Sequence, residues 1–299
     1  VLKKQGKQQR GCWNEGKNNG NRGLIKMIVQ FSKMHGLGND FIVVNEMQEE
    51  VIAERDKEFF AVNNCKRRIS VGADGVLFLC KPRSPTADFR MRIFNADGSE
   101  AETCVNGLRC VAFEKFLIEG KKKNNFNIES GNGIVSAKIV AEKKNKATVE
   151  LHLLAKPIFK GKFHLIVGKK GFEYYSVDVG NPHAVVFLKE NVQHFPVEEI
   201  GHAFEWHKAF QPHRTNTEFA NIVSPKKIKM RVHERGACET AACGSGAIAT
   251  VVAGINAGIA DANQWVSVEM PGGALEIKAG EQVFLRGAAQ KVFVGAIEW

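Results

Sequence analysis

The chain has 299 residues, 44% apolar and 25% charged, an ordinary globular composition long enough for two domains rather than a fibrous or wholly disordered one. Its formal charge of +10 suggests nucleic acid until it is located. Residues 1–26 carry +6 of it, with Lys3, Lys4, Lys7, Arg10, Lys17, Arg22 and Lys26 against Glu15 alone, and only +4 is left for the rest of the chain, which has no aromatic-and-basic stripe and no Cys/His finger spacing.

In chain order, residues 1–26 are rich in Lys, Gly, Asn and Gln without apolar periodicity and are expected to form a disordered basic tail, with Met27 a candidate start. A transit peptide is the weaker alternative, because the segment lacks Ser and an amphipathic pattern. Strands are expected at 28–34, 40–46, 76–80 and 89–94, then a helix over 106–118 stopped by Gly120, then further strands to about 151. After a Lys- and Pro-bearing connection at 154–161 the order recurs: strands at 174–179, 184–188, 218–223 and 228–232, a helix over 245–259, and strands to the C-terminus. The small-apolar run at 244–260 has 17 residues and includes Thr250 and Asn256, so a buried helix is expected there and no membrane span. The seven cysteines, at 12, 65, 80, 104, 110, 238 and 243, form an odd set without a disulfide framework, and no leader with an apolar core precedes them. They read as reduced thiols of a cytoplasmic protein. Neither C-x5-C (104/110) nor C-x4-C (238/243) is a zinc spacing, and no metal is expected.

Short signatures also recur between the halves. LGNDFIVV (37–44) matches VGNPHAVV (179–186), MRIFNADG (91–98) matches MRVHERGA (230–237), and TCVNG (103–107) matches ACGSG (242–246). Met91 to Cys104 and Met230 to Cys243 are both 13 residues apart, while Asn39 to Cys104 is 65 and Asn181 to Cys243 is 62. This is a duplicated domain. Two related domains facing across a cleft place equivalent residues on its opposite sides, so Cys104 and Cys243 are expected to meet.

Inverting a stereocentre needs a proton removed from one face and another delivered to the opposite face. Two cysteines at helix starts suit that task, one as thiolate and one as thiol, because a helix N-terminus can bring a thiol toward working pH. Backbone N–H groups of Val105, Asn106, Gly244 and Ser245 can converge on a substrate carboxylate and hold the charge of the carbanion. Phe41 pairs with His183 and Asn95 with Glu234 in the repeat, so only the second half places titratable groups there, which can make the two thiols unequal. Cys12, Cys65, Cys80, Cys110 and Cys238 read as core or bystander thiols.

The segments FSKMHGLGNDF (31–41), RIFNADGSEAETCVNGLRC (92–110), GNPH (180–183) and ERGACETAACGSGA (234–247) resemble the diaminopimelate epimerase family, in order from Met27 to about Arg286. The resemblance implies an α+β fold of two pseudo-symmetric domains, each a mixed barrel-like sheet around a central helix. The domains would span 27–150, completed by a C-terminal strand at 286–299, and 151–285. It implies a cytoplasmic homodimer that interconverts LL- and meso-diaminopimelate in lysine biosynthesis without a cofactor. Carried over position by position, Cys104 and Cys243 match the catalytic pair, His183 and Glu234 the groups that tune the thiols, and Asn39, Asn95, Asn181, Asn216, Glu234 and Arg235 the substrate-binding positions. Arg235 suits a bidentate carboxylate contact, and the asparagines suit an ammonium-carboxylate centre. Three positions depart from the family pattern: Val105 and Cys238 stand for Gly, and Gly75 stands for Gln. Val105 is expected to crowd the helix start or the carboxylate, and Gly75 to remove a polar contact. Two rival readings are a racemase of another amino acid on the same fold, against which Arg235 and the asparagines argue, and a nucleic-acid-binding protein exploiting the basic tail.

Overall fold

The computed structural model describes residues 27–153 and 156–299. The expected tail at 1–26, and residues 154 and 155 of the expected connection, lie outside the described residues.

The first half runs β1 (Ile28–Gly36), β2 (Asn39–Glu46), α1 (Lys57–Asn64), β3 (Gly75–Cys80), β4 (Phe89–Asn95), β5 (Glu100–Ala101), α2 (Val105–Ile118), β6 (Asn125–Ser130), β7 (Gly133–Lys143) and β8 (Lys146–Leu153). After β9 (Ile158–Val167) the order repeats as β10 (Lys170–Asp178), β11 (Pro182–Phe187), α3 (Val197–Glu205), β12 (Asn216–Ser224), β13 (Lys227–Glu234), β14 (Cys238–Thr240), α4 (Gly244–Asn256), β15 (Trp265–Met270), β16 (Gly273–Ala279) and β17 (Val283–Glu298). The fold is α+β, a mixed sheet closed around a few helices.

Pairing follows the same plan twice. β1 and β2 form a hairpin, β2 runs parallel to β3, β3 antiparallel to β4, and β4 parallel to β6. β10 to β15 repeat each of these relations. Parallel neighbours need a crossover, and the four helices supply it. The halves also exchange strands: β9 leaves the first half to pair with β10, and the end of β17 returns to pair with β1. The start of β17 pairs with β8, which joins the two halves into one continuous sheet.

α2 and α4 are buried on nearly every face; α4 is a nearly continuous run of small and apolar residues, while α2 also buries Asn106, Arg109 and Glu114. Both sit in one core shared by the halves, which includes Leu108, Val111, Phe113, Ala247, Ile248 and Val251. α1 and α3 cover the outer face of the sheet over two smaller cores, around Phe60 and Phe78 and around Phe204 and Phe219. These outer helices were not expected. α4 is also shorter than expected, ending at Asn256 rather than 259, because Gly258 takes a φ of +71° and turns the chain away. No helix among the described residues is long and apolar enough to cross a membrane.

Candidate active site

Cys104 and Cys243 hold the same place in the two halves. Each is the extended residue that caps its helix, with φ −145° and ψ 115° at Cys104 and φ −123° and ψ 116° at Cys243. Each sulfur accepts the third N–H of its helix, from Gly107 at 3.4 Å and from Gly246 at 3.3 Å, in the way a serine oxygen caps a helix. Of the first-turn N–H groups before these, that of Asn106 also bears on the Cys104 sulfur, while those of Val105, Gly244 and Ser245 have no intrahelical acceptor, the arrangement of an anion site.

The two helix starts touch across the halves. The Asn106 amide donates to Asn39 Oδ1 at 3.1 Å in its own half and to the Ala242 carbonyl at 3.4 Å, next to Cys243, in the other. Asn39 Oδ1 also accepts from the Cys104 thiol at 3.7 Å, while Asn39 Nδ2 donates to Asp74 Oδ2 at 2.9 Å and is thereby oriented. Val105 lies directly on Gly244: a Cβ added there would be 2.8 Å from Val105 Cγ1 and 2.9 Å from its Cβ. The expected crowding by Val105 therefore falls on the neighbouring helix start, where glycine makes the room. Gly244→Ala is expected to cost about 1–3 kcal/mol of stability by overpacking. Adding Val105→Gly, which removes both the Cγ1 and the Cβ that the new methyl would meet, should recover part of it, in thermal unfolding and in turnover alike; strictly additive losses would disprove the contact.

On the second half, strand register lines up His183 of β11 with Asn216 of β12, beside Glu234 of β13. The His183 and Glu218 side chains are wholly buried and meet at 2.7 Å, and His183 Nε2 lies 3.1 Å from Asn181 Oδ1. Glu234 is hydrogen-bonded to Thr240 and to the Cys243 thiol, and burial raises its pKa. Its charge acts on both Cys104 and Cys243, so one carboxyl group stands near both sulfurs. Ser245 Oγ lies 3.4 Å from Cys243 Sγ. Asn216 accepts the Arg235 N–H at 2.7 Å, and the Arg235 guanidinium donates to the His213 carbonyl at 2.7 Å. On the first half, the same register row is Phe41, Gly75 and Asn95, and the Asn95 amide donates to Ser99 at 3.0 Å.

Gly75 thus stands where the second half has Asn216. A Cβ at Gly75 would lie 2.7 Å from the Phe94 carbonyl, so in this backbone the position admits no side chain. Cys238 takes φ +62°, the left-handed region that favours glycine, and its exposed thiol bonds Glu198. Cys65 and Cys110 are buried and Cys80 partly so.

The helix starts do not lower the thiols as the sequence suggested. Burial outweighs the N–H groups, lifting Cys104 above its ordinary value of 9.0 and Cys243 well above it, the latter with help from Glu234 and Glu218. A thiol with a raised pKa keeps its proton until pH passes the raised value. Alkylation of both cysteines by iodoacetamide in the ligand-free protein should therefore still be rising with pH at 9.0. A plateau below that pH, read by mass spectrometry at each site, would contradict this.

Sequence reasoning missed Asp74, Glu218 and Thr240. Glu218 did carry a signal, an acid among the consecutive buried residues of β12. A cluster of His202, Glu205 and His233 brings metal-type ligand atoms within 4.8 Å. Its carboxylate is already engaged, by His233 Nε2 at 2.9 Å on one oxygen and by Arg214 at 2.8 Å and the Gly236 N–H at 3.0 Å on the other. It serves as a clamp on the turn after Glu234.

The diaminopimelate epimerase family model matches residues 31–152 and 175–292, most of the chain and both cysteine motifs. The chain belongs to the diaminopimelate epimerase family. It is similar to the diaminopimelate epimerase of Halothermothrix orenii, 40% identical over 289 residues that cover 91% of this chain and 98% of that one. The diaminopimelate epimerase of Trichodesmium erythraeum is 41% identical over 290 residues, covering 91% and 100%. Among solved structures, a PhzF-family phenazine biosynthesis protein of Bacillus anthracis superposes with a TM-score of 0.68 at 17% identity, over 90% of this chain and 99% of that one. A hydroxyproline epimerase of Agrobacterium vitis gives 0.68 at 12% identity, over 92% and 93%. At those identities the likeness shows the fold alone.

Proposed function

We propose that this member of the diaminopimelate epimerase family is an isomerase that interconverts LL- and meso-diaminopimelate, in lysine biosynthesis, by proton transfer between Cys104 and Cys243. The observation that carries the reading is the meeting of two equivalent cysteine-capped helix starts, tied by Asn106 to Ala242 and by Val105 on Gly244. A substrate Cα between the sulfurs would lose its proton to one thiolate and gain another from the opposite thiol, with the roles exchanged in reverse. The N–H groups of Val105, Asn106, Gly244 and Ser245 hold the α-carboxylate and the charge that develops on it. His183 and Glu234 tune the second thiol. Asn39, Asn95, Asn181, Asn216, Glu234 and Arg235 bind the substrate, with Arg235 the partner for its distal carboxylate.

The same reading divides the chain into 27–150 with 286–299, and 151–285, and makes it a cofactor-independent cytoplasmic homodimer. The test is solvent-deuterium incorporation at Cα. LL- and meso-diaminopimelate should both exchange and interconvert, without added pyridoxal phosphate, while proline and alanine stay unlabelled. Exchange confined to a mono-amino acid would replace the substrate and keep the chemistry, and loss of exchange on deleting residues 1–26 would give the tail a role that this reading denies it.

A further inference from the structure

The two halves are not electrostatic copies, and one buried residue of α2 carries the difference. Arg109 is wholly buried one turn beyond Cys104, yet its guanidinium makes no ion pair among the described residues. Its three polar contacts are the Ala288 carbonyl at 3.3 Å, the Val105 carbonyl at 3.3 Å and Asn106 Oδ1 at 2.8 Å. Burial draws its pKa down to about 10, which still leaves it charged at neutral pH. An unpaired buried charge is costly, and the space for this one is kept by glycine: a Cβ at Gly36 of β1 or Gly287 of β17 would lie 3.0 Å from the guanidinium.

Position 109 corresponds to Ile248 in the repeat, so the Cys243 side has no such cation. The reverse holds for Glu218, which sits under Gly246 where Leu77 sits under Gly107. The first helix start therefore faces a buried cation and the second a buried acid. The charged groups acting on Cys104 are Glu234 from β13, which raises it, and to a smaller extent Arg109 from its own helix, which lowers it, whereas Glu234 and Glu218 both raise Cys243 and no cation among the described residues opposes them there. The elements packed against the guanidinium contribute glycines and a backbone carbonyl. Arg109 also decides how Asn106 is turned. With Asn106 Oδ1 taken by Arg109, its NH2 must face Asn39 Oδ1 and the Ala242 carbonyl.

We propose that Arg109 is a positioning residue: it locks the Asn106 amide that joins the two cysteine sites and supplies the cation that makes Cys104, rather than Cys243, the first thiol to lose its proton. The inference rests on the two-cysteine reading above, but the labelling that decides it needs no substrate, so failure of that reading and failure of this one are told apart.

The experiment is site-resolved iodoacetamide labelling of the full chain across a pH series, for the wild type, Arg109→Met and Arg109→Lys. In the wild type Cys104 should reach half-maximal labelling at lower pH than Cys243. Arg109→Met should move the Cys104 midpoint up by about one pH unit, roughly tenfold slower labelling below the midpoint, and leave Cys243 in place. Arg109→Lys should hold the midpoint while kcat falls, because the charge is kept and the contact with Asn106 lost. Earlier labelling of Cys243 in the wild type would overturn the proposal by itself, whether or not Arg109→Met folds. So would a folded Arg109→Met with an unmoved Cys104 midpoint.

Discussion

Cys104→Ala and Cys243→Ala are each expected to abolish epimerisation, by about two to four orders of magnitude in kcat for loss of one acid/base group. Each sulfur caps its own helix and, in the proposed reaction, serves a different face of the substrate, so neither can stand in for the other. The stereochemical signature is sharper than the rate. A variant with one cysteine can still take a proton from one face and return it there, giving deuterium exchange without inversion from one epimer. Nuclear magnetic resonance of the recovered substrate reads both quantities, and near-normal inversion in either variant would end the two-base account. Because the losses come from one cooperative unit, the double variant should be little worse than either single one.

His183→Ala is expected to be the most destabilising change at the site. His183 and Glu218 are wholly buried and 2.7 Å apart, so the substitution leaves a buried carboxylate without its partner, at a cost of about 3–5 kcal/mol. Glu218 lies against Gly246 at the start of α4, so the disturbance reaches the second cysteine. Replacing both partners with apolar residues, His183→Leu with Glu218→Met, should restore much of the stability and none of the activity. Urea denaturation and the exchange assay separate the two effects. A His183→Ala protein as stable as the wild type would show that the pair contributes nothing to the fold.

Much of this was legible in the chain itself. The recurrence of TCVNG and ACGSG at matching distances from MRIFNADG and MRVHERGA identified the helix starts to within one residue, because a cap and its glycine-bearing first turn are local features. α1 and α3 escaped notice, since each is a single short helix lying on the outer face of a sheet that its own residues do not announce. The end of α4 was placed three residues too late because the apolar run continues past Gly258, and only the backbone turn there ends the helix.

The sequence by itself determined the duplication, the two cysteines and the family, all of which rest on short segments contiguous in the chain. Tertiary structure alone decided what those segments meet: Val105 on Gly244, Asn106 on Ala242, Glu218 beneath Gly246, and Arg109 without an anion. Asn106 and Ala242, for one, are 136 residues apart, where no local spacing rule operates. It also reversed the expectation for the thiols. A helix N-terminus can be read from a sequence, whereas the burial that outweighs it comes from packing both halves around one core.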